Sequence, residues 1–218
     1  MDVEQLRANL WRWTATHPDW TPEDGGEEGW EPEVASYYYE GGDAVVLFDP
    51  LVPGDNAERF WHHLDADVQR AARPVAVLLT VFWHHRSATE IARRYDSRVW
   101  INPRELERTL ERVPAEFLET FELDDPLPAD VRAYDADRKN EVVYFVPEHG
   151  ALVAGDVLLG TSDGGVRMCP ESWLGGAARE TVRATLLELL RLPVELVLPT
   201  HGEPVLEGAH AALERALS

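Results

Sequence analysis

One stretch constrains the fold of this sequence more than any other. Residues 74–79 are short, apolar and rich in β-branched side chains, and a run of this kind predicts a strand covered on both faces. His84, His85 and Arg86 follow on a predicted turn, before a helix that starts at Ala88. Ligands often bind at the carboxyl ends of strands in layered α/β proteins, so this turn is predicted to line a functional site.

The remaining sequence predicts clusters of strands with helices between them. Helical spacing predicts helices over residues 56–72, 88–95, 105–111, 173–190 and 207–217, and Ser87 with Glu90 has the spacing of a capping box. Strand patterns cover residues 34–40, 44–49, 98–101, 142–146, 152–154 and 194–198, with two short strands within 117–136. This order favours two packed sheets with helices outside over one doubly wound sheet.

Composition excludes several classes of protein. A chain of 218 residues predicts a single domain, and no apolar run approaches the roughly 18 residues that span a bilayer. The net charge of −20 would repel nucleic acid and anionic membranes. The single cysteine, Cys169, excludes an internal disulfide and a cysteine-rich zinc site. The acidic first residues lack the features of a signal peptide, so we expect a cytoplasmic protein that acts on a small molecule.

Residues 1–30 are rich in tryptophan and are predicted to be an extension packed on the domain. The indoles can cover one face of the core or wall a pocket for an apolar ligand, and the sequence leaves both alternatives open. This segment and the apolar run at 194–198 can pack internally or against a second subunit, so a homodimer is also left open.

Three predicted strand ends carry side chains of metal-binding type. They are the turn at His84 and His85, Asp156 after the strand at 152–154, and His201 after the strand at 194–198. Imidazole and carboxylate ligands suit zinc, iron or manganese, and a catalytic zinc typically takes three protein ligands. Their recurrence at strand ends predicts a metal site.

The order of these features resembles the metallo-β-lactamase fold superfamily from Val34 onward. The matching pieces are the segment 48–50 (Phe-Asp-Pro), the strand ending at Thr80, the segment 154–156 (Ala-Gly-Asp) and the segment 198–202 (Leu-Pro-Thr-His-Gly). The resemblance implies an α/β fold of four αββα layers, with two mixed sheets and helices outside. It also implies that Asp156 bridges two metals and that His201 binds the second.

The sequence departs from the family in its most diagnostic motif, Thr-His-x-His-x-Asp-His. Aligned from Thr80 without a gap, Val81 and Trp83 replace the first-metal histidines, His85 replaces the aspartate and Arg86 replaces the last histidine. A further first-metal histidine is missing before residue 142, where Asp135 and Asp137 are the nearby polar residues. The first metal site is therefore predicted to be lost, and a one-residue slip would exchange His85 for His84.

Two functions follow from this degenerate motif. The first is a metallohydrolase of esters, thioesters or lactones with one zinc, iron or manganese ion, for which Asp156 and Arg86 would take part in catalysis and Arg86 and Trp83 would contact substrate. Its metal ligands would be His84 or His85, Asp156 and His201. The second is a metal-free descendant that binds a small molecule or a partner chain, with Arg86 and Asp156 paired across the old pocket. Histidine and carboxylate ligands also describe non-haem iron sites, which makes a redox role a third option.

Overall fold

The computed structural model describes residues 3–218, and its largest element is a seven-stranded sheet. Neighbouring strands are antiparallel from β1 to β4 and parallel from β4 to β7. In spatial order they are β1 (Val3–Arg7), β2 (Leu10–Thr16), β3 (Glu33–Glu40), β4 (Val45–Phe48), β5 (Val75–Leu78), β6 (Arg98–Ile101) and β7 (Leu118–Thr120).

A smaller mixed sheet faces the large one. Its strands, in the spatial order β13, β10, β9 and β8, span Leu196–Pro199 (β13), Ala151–Ala154 (β10), Val142–Val146 (β9) and Arg132–Asp135 (β8). A separate two-stranded ribbon consists of β11 (Leu158–Gly160) and β12 (Val166–Met168). Strands β10 and β13 run parallel with Ala154 opposite Pro199, so the residues that follow these two strands emerge at the same edge.

Helices cover the outer faces of both sheets. The helices α1 (Ala57–Ala71) and α2 (Ala88–Tyr95) connect parallel strands of the large sheet, and α3 (Leu106–Leu110) follows β6. On the other side, α4 (Arg179–Leu186) and α5 (Ala209–Ala216) pack on the small sheet. The prediction of two mixed sheets with helices outside is confirmed.

The alternation of side chains along the strands produces three apolar layers. On β3, Tyr37 and Tyr39 face the small sheet, whereas Tyr38 faces α1. On β9, Tyr144 joins the layer between the sheets and Phe145 packs towards α4 and α5. Because the central strands of both sheets, such as β4, β5, β9 and β10, are buried on both faces, they read as continuous apolar runs in the sequence.

Two local predictions are wrong. The long helix over residues 173–190 is a short helical turn followed by α4, because Gly175 and Gly176 adopt left-handed φ values of 65° and 94° and break the helix. Helix α2 begins at Ala88 as predicted, but without a capping box. The Ser87 hydroxyl instead accepts a hydrogen bond of 2.9 Å from the backbone N–H of Val52.

The tryptophan-rich segment supplies β1 and β2, which form one edge of the large sheet. Trp13 is 3% exposed and packs against Phe60 of α1, whereas Trp30 lies beside His201. Tryptophans of this segment therefore contact both the core and the candidate site. Among the described residues, no helix is long and apolar enough to cross a membrane.

Candidate metal centre

Three loops that follow β5, β10 and β13 converge at one edge of the two sheets. After β5 the chain makes a short helical turn, Phe82–His85, which directs His84 into the protein, where it is 3% exposed. Asp156 follows β10 and is 5% exposed, and His201 follows β13 and is partly buried. The parallel pairing of β10 with β13 explains why Asp156 and His201 meet.

Asp49, which follows β4, fixes the orientation of His84. Its Oδ2 lies 2.9 Å from His84 Nδ1 and 2.5 Å from Thr80 Oγ1. An ionised carboxylate only accepts hydrogen bonds, so Nδ1 carries the proton and Nε2 is directed to the opposite side. Burial and Arg86 lower the pKa of His84, but Asp49 and Asp156 outweigh them and raise it above its ordinary value.

One oxygen of Asp156 is shared by two imidazoles. His84 Nε2 and His201 Nε2 each lie 3.2 Å from Asp156 Oδ1, and the three potential ligand atoms lie within 4.8 Å of one another. Among residues 3–218, the buried Oδ1 has no partner in hydrogen-bonding geometry. Two nitrogens and a carboxylate oxygen this close together, with the oxygen left without a hydrogen bond, fit a metal ion.

The electrostatics of the cluster favour an ionised Asp156. Burial alone raises the pKa of its carboxyl group, but the charge of His84 and the contacts with both histidines hold that pKa well below its usual range. Burial lowers the pKa of His201 and outweighs the opposite effect of Asp156, which keeps that imidazole neutral. Carboxylate and neutral imidazole are the forms that bind metals, so Asp156 and His201 are in those forms, whereas His84 would release its Nε2 proton when an ion binds.

The second oxygen of Asp156 is satisfied by the protein. Trp83 Nε1 donates a hydrogen bond of 2.9 Å to Oδ2, and the guanidinium of Arg138 lies 3.5 Å from it. Arg138 also forms an ion pair with Glu141, which is fully buried and accepts a 2.9 Å hydrogen bond from the backbone N–H of Val157. The two sides of one carboxylate are therefore chemically different.

The other residues predicted for the site have separate places. His85 is partly buried and outside the three-residue cluster. The proposed ion pair between Arg86 and Asp156 does not form, because Arg86 donates to the backbone carbonyls of Ala35 and Asp49, at 3.3 and 2.9 Å. Trp83 contacts Asp156 through its indole N–H.

Sequence reasoning overlooked Arg138, the residue that pairs with Asp156. The spacing of Arg138 and Glu141 immediately before β9 is the sequence signal for this pair, and an exposed charge pair has the same spacing. Asp135 lies outside the cluster and contacts Arg104 at 3.5 Å. Cys169 is fully buried in the apolar layer beneath α4 and α5.

The cluster lies in a cavity of about 970 Å³. Trp30 and Trp173 approach the His201 ring edge-on, with ring centroids 5.3 and 5.8 Å away. Arg86 and Arg112 add positive charge to the lining. The cavity is large enough for a small-molecule ligand, and its lining also includes the acidic residues Asp19, Glu33 and Asp55.

Comparisons with known proteins identify the fold. No protein-family model and no curated protein matches the sequence. Among solved structures, a metallo-β-lactamase from Pontibacter korlensis is 15% identical, with a TM-score of 0.69 over 99% of this chain and 98% of that chain. One from Erythrobacter litoralis is 17% identical, with a TM-score of 0.69 over 99% and 93%, and one from Hirschia baltica is 13% identical, with a TM-score of 0.66 over 99% and 95%. The chain has the metallo-β-lactamase fold, as its sequence features predicted.

Proposed function

We propose that this protein is a metal-dependent hydrolase of small molecules with one metal ion, held by His84, Asp156 and His201. The observation that carries the proposal is the position of Asp156 Oδ1, a buried oxygen without a hydrogen-bond partner among residues 3–218 and 3.2 Å from two imidazole nitrogens. A site that opens onto a cavity of about 970 Å³ is accessible to a substrate.

The chain's own residues prepare this site. Asp49 accepts the Nδ1–H of His84 and so presents Nε2 as a ligand, the arrangement of carboxylate, histidine and metal found in many metalloproteins. Trp83 and Arg138 hold the other end of Asp156, so that a single oxygen faces the histidines. Zinc, iron or manganese would suit these ligands. Such an ion would supply Lewis acidity that polarises a carbonyl and activates water.

Arg86 supports an anionic substrate. It lines the cavity, its Nε is shielded from solvent without a hydrogen-bond partner among the described residues, and its hydrogen-bond partners are backbone carbonyls rather than carboxylates. A guanidinium without a carboxylate partner binds a carboxylate or phosphate strongly. The tryptophans beside His201 would contact an apolar part of the same molecule. We therefore propose an ester, thioester or lactone that also carries an acidic group.

Metal content tests the proposal most directly. Untagged protein is stripped with a chelator, reconstituted with zinc, iron or manganese and measured by elemental analysis. We expect about one ion per chain, and loss of that ion in His201→Ala. The matched control is His62→Ala, because His62 is an exposed histidine of α1, and this variant should keep its metal. A wild-type protein that holds no metal after reconstitution would contradict the proposal.

Hydrolysis assays test the substrate class. Esters, thioesters and lactones are compared in pairs that differ only in an added carboxylate. The wild type should prefer the anionic member, and Arg86→Gln should raise the KM for that member by about 10- to 100-fold, since a charged hydrogen bond contributes about 1.5–3 kcal/mol. The KM for the neutral member should change little. Equal loss for both members would contradict a role of Arg86 in anion recognition.

A further inference from the structure

Two buried carboxylates share one guanidinium on the side of Asp156 that faces away from the histidines. Asp156 is 5% exposed and Glu141 is fully buried. Arg138 is 2% exposed, forms an ion pair with Glu141 and lies 3.5 Å from Asp156 Oδ2. Because an unpaired buried carboxylate is very unfavourable, the two acids require a cation at this position.

The protein holds this guanidinium rigidly. Arg138 Nε donates a 3.1 Å hydrogen bond to the carbonyl of Trp173, and its Cζ lies 5.5 Å from the centre of the Trp83 ring. The surrounding turn is strained, because Asp137, Lys139 and Asn140 have φ values of 51°, 48° and 58°.

The strained turn is anchored from the neighbouring α3 region. Asn140 Nδ2 donates a 2.6 Å hydrogen bond to Oε1 of the buried Glu105, and Asn102 Nδ2 donates a 3.0 Å hydrogen bond to the carbonyl of Asn140. Backbone strain of this kind persists only where surrounding contacts impose it, and it is concentrated at functional sites. The contacts of Asn140 therefore offset the conformational cost of the turn that places Arg138 beside Asp156.

We propose that the guanidinium of Arg138 occupies the position of a second metal ion. Without this guanidinium, Asp156 Oδ2 and Glu141 would bind a metal there, so Arg138 limits the site to one ion. The inference rests on the proposed function and explains why the site would hold one metal ion rather than two. The guanidinium pairs with Asp156 Oδ2 and with Glu141 at the same time. It leaves only Asp156 Oδ1, with the two imidazoles, to an exchangeable ion. Arg138 acts through Asp156 and Glu141 and is thus a positioning residue.

The test is the metal stoichiometry and affinity of Arg138 variants, measured by titration calorimetry with zinc and by elemental analysis. Arg138→Ala leaves two buried carboxylates and an opening of guanidinium size, so we expect about two ions per chain, as in known two-metal sites. Arg138→Lys keeps a cation and should bind about one ion, like the wild type. Arg138→Ala/Glu141→Gln removes one of the carboxylates and should also return to about one ion.

Thermal melting provides the second measurement. Arg138→Ala should melt below the wild type after chelation, and zinc should raise its melting temperature more than it raises that of Arg138→Ala/Glu141→Gln. An Arg138→Ala protein that binds a single ion with unchanged affinity, or that stays unfolded in excess zinc, would overturn the inference while leaving the proposed function intact. A wild-type protein without metal would instead refute the proposed function.

Discussion

The two oxygens of Asp156 show how one carboxylate can serve two purposes. Oδ2 is saturated by the protein, with the indole N–H of Trp83 at 2.9 Å and the guanidinium of Arg138 at 3.5 Å. Oδ1 faces the nitrogens of His84 and His201, both at 3.2 Å, without a satisfied hydrogen bond among the described residues. Buried polar groups are rarely left unsatisfied, so Oδ1 is the oxygen at which the proposed metal ion would bind.

Asp156→Asn should have the largest effect, because it removes the charge on which both sides depend. We expect metal affinity to fall by more than about 100-fold, since loss of outer-shell partners alone costs about 10- to 100-fold. Calorimetric titration with zinc measures this. Asp163→Asn is the matched control, because Asp163 is exposed on the turn before β12 and contacts Thr161. Affinity within about 10-fold of the wild type would place the metal elsewhere.

Asp49→Asn should affect only the metal binding of His84 and Asp156 Oδ1. Without a carboxylate acceptor, His84 Nδ1 loses its charged partner at 2.9 Å, and metal affinity should fall by about 10- to 100-fold. Asn tolerates the left-handed backbone at this position, where φ is 45°. The same titration measures the effect, with circular dichroism to verify folding. An unchanged affinity would show that His84 needs no orienting partner.

Trp83→Phe should affect mainly the contacts that the protein makes with Asp156 Oδ2. The ring remains, but the hydrogen bond to Asp156 Oδ2 is lost, and the free energy of unfolding should fall by about 1 kcal/mol. Metal affinity should change by less than about 10-fold, because both histidines and Oδ1 remain in place. Urea unfolding gives the first quantity and titration the second. A loss of metal affinity as large as that of Asp49→Asn would contradict the separation of the two sides.

The smallest effect on metal affinity should come from His17, which lies in the cavity lining outside the three-residue cluster and acts on stability instead. Burial and the charge of Arg86 lower its pKa from 6.5 to about 4. Between these values the unfolded chain binds more protons at this position than the folded protein, so stability from this residue is complete above the unfolded pKa and is lost as pH falls towards 4. Urea unfolding should show the wild type losing stability relative to His17→Gln over this range. A stability difference between the two proteins that does not change with pH would contradict the lowered pKa of His17.

The layers of the fold were predictable, because apolar periodicity reports burial directly. The run at residues 74–79 contains β5, and the strand predicted at residues 34–40 corresponds to β3, which is buried between two apolar layers. Strands β1 and β2 were missed because an edge hairpin has a weak periodic signal. The helix over 173–190 was overextended because its apolar spacing outweighed the two glycines at its start.

The side chains of the site were only partly predictable. Asp156 and His201 follow recognisable strands, so their convergence could be inferred from parallel strand ends. The choice between His84 and His85 depends on the helical turn Phe82–His85, whose backbone angles leave no trace in periodicity. Arg138 was missed because its contacts with Asp156 and Trp173 join segments distant in the sequence, and such contacts have no sequence pattern.

The parallel pairing of β10 with β13 also has a consequence for folding kinetics. Ala151 pairs with Leu196 across a long connection, whereas β9 and β10 are joined by a short turn. Pairings between distant segments form slowly, because the intervening loop must close first. His201 lies just beyond β13, so the proposed metal centre would be complete only after this last strand has docked. The rate at which a refolding chain acquires metal affinity would therefore report the completion of the small sheet.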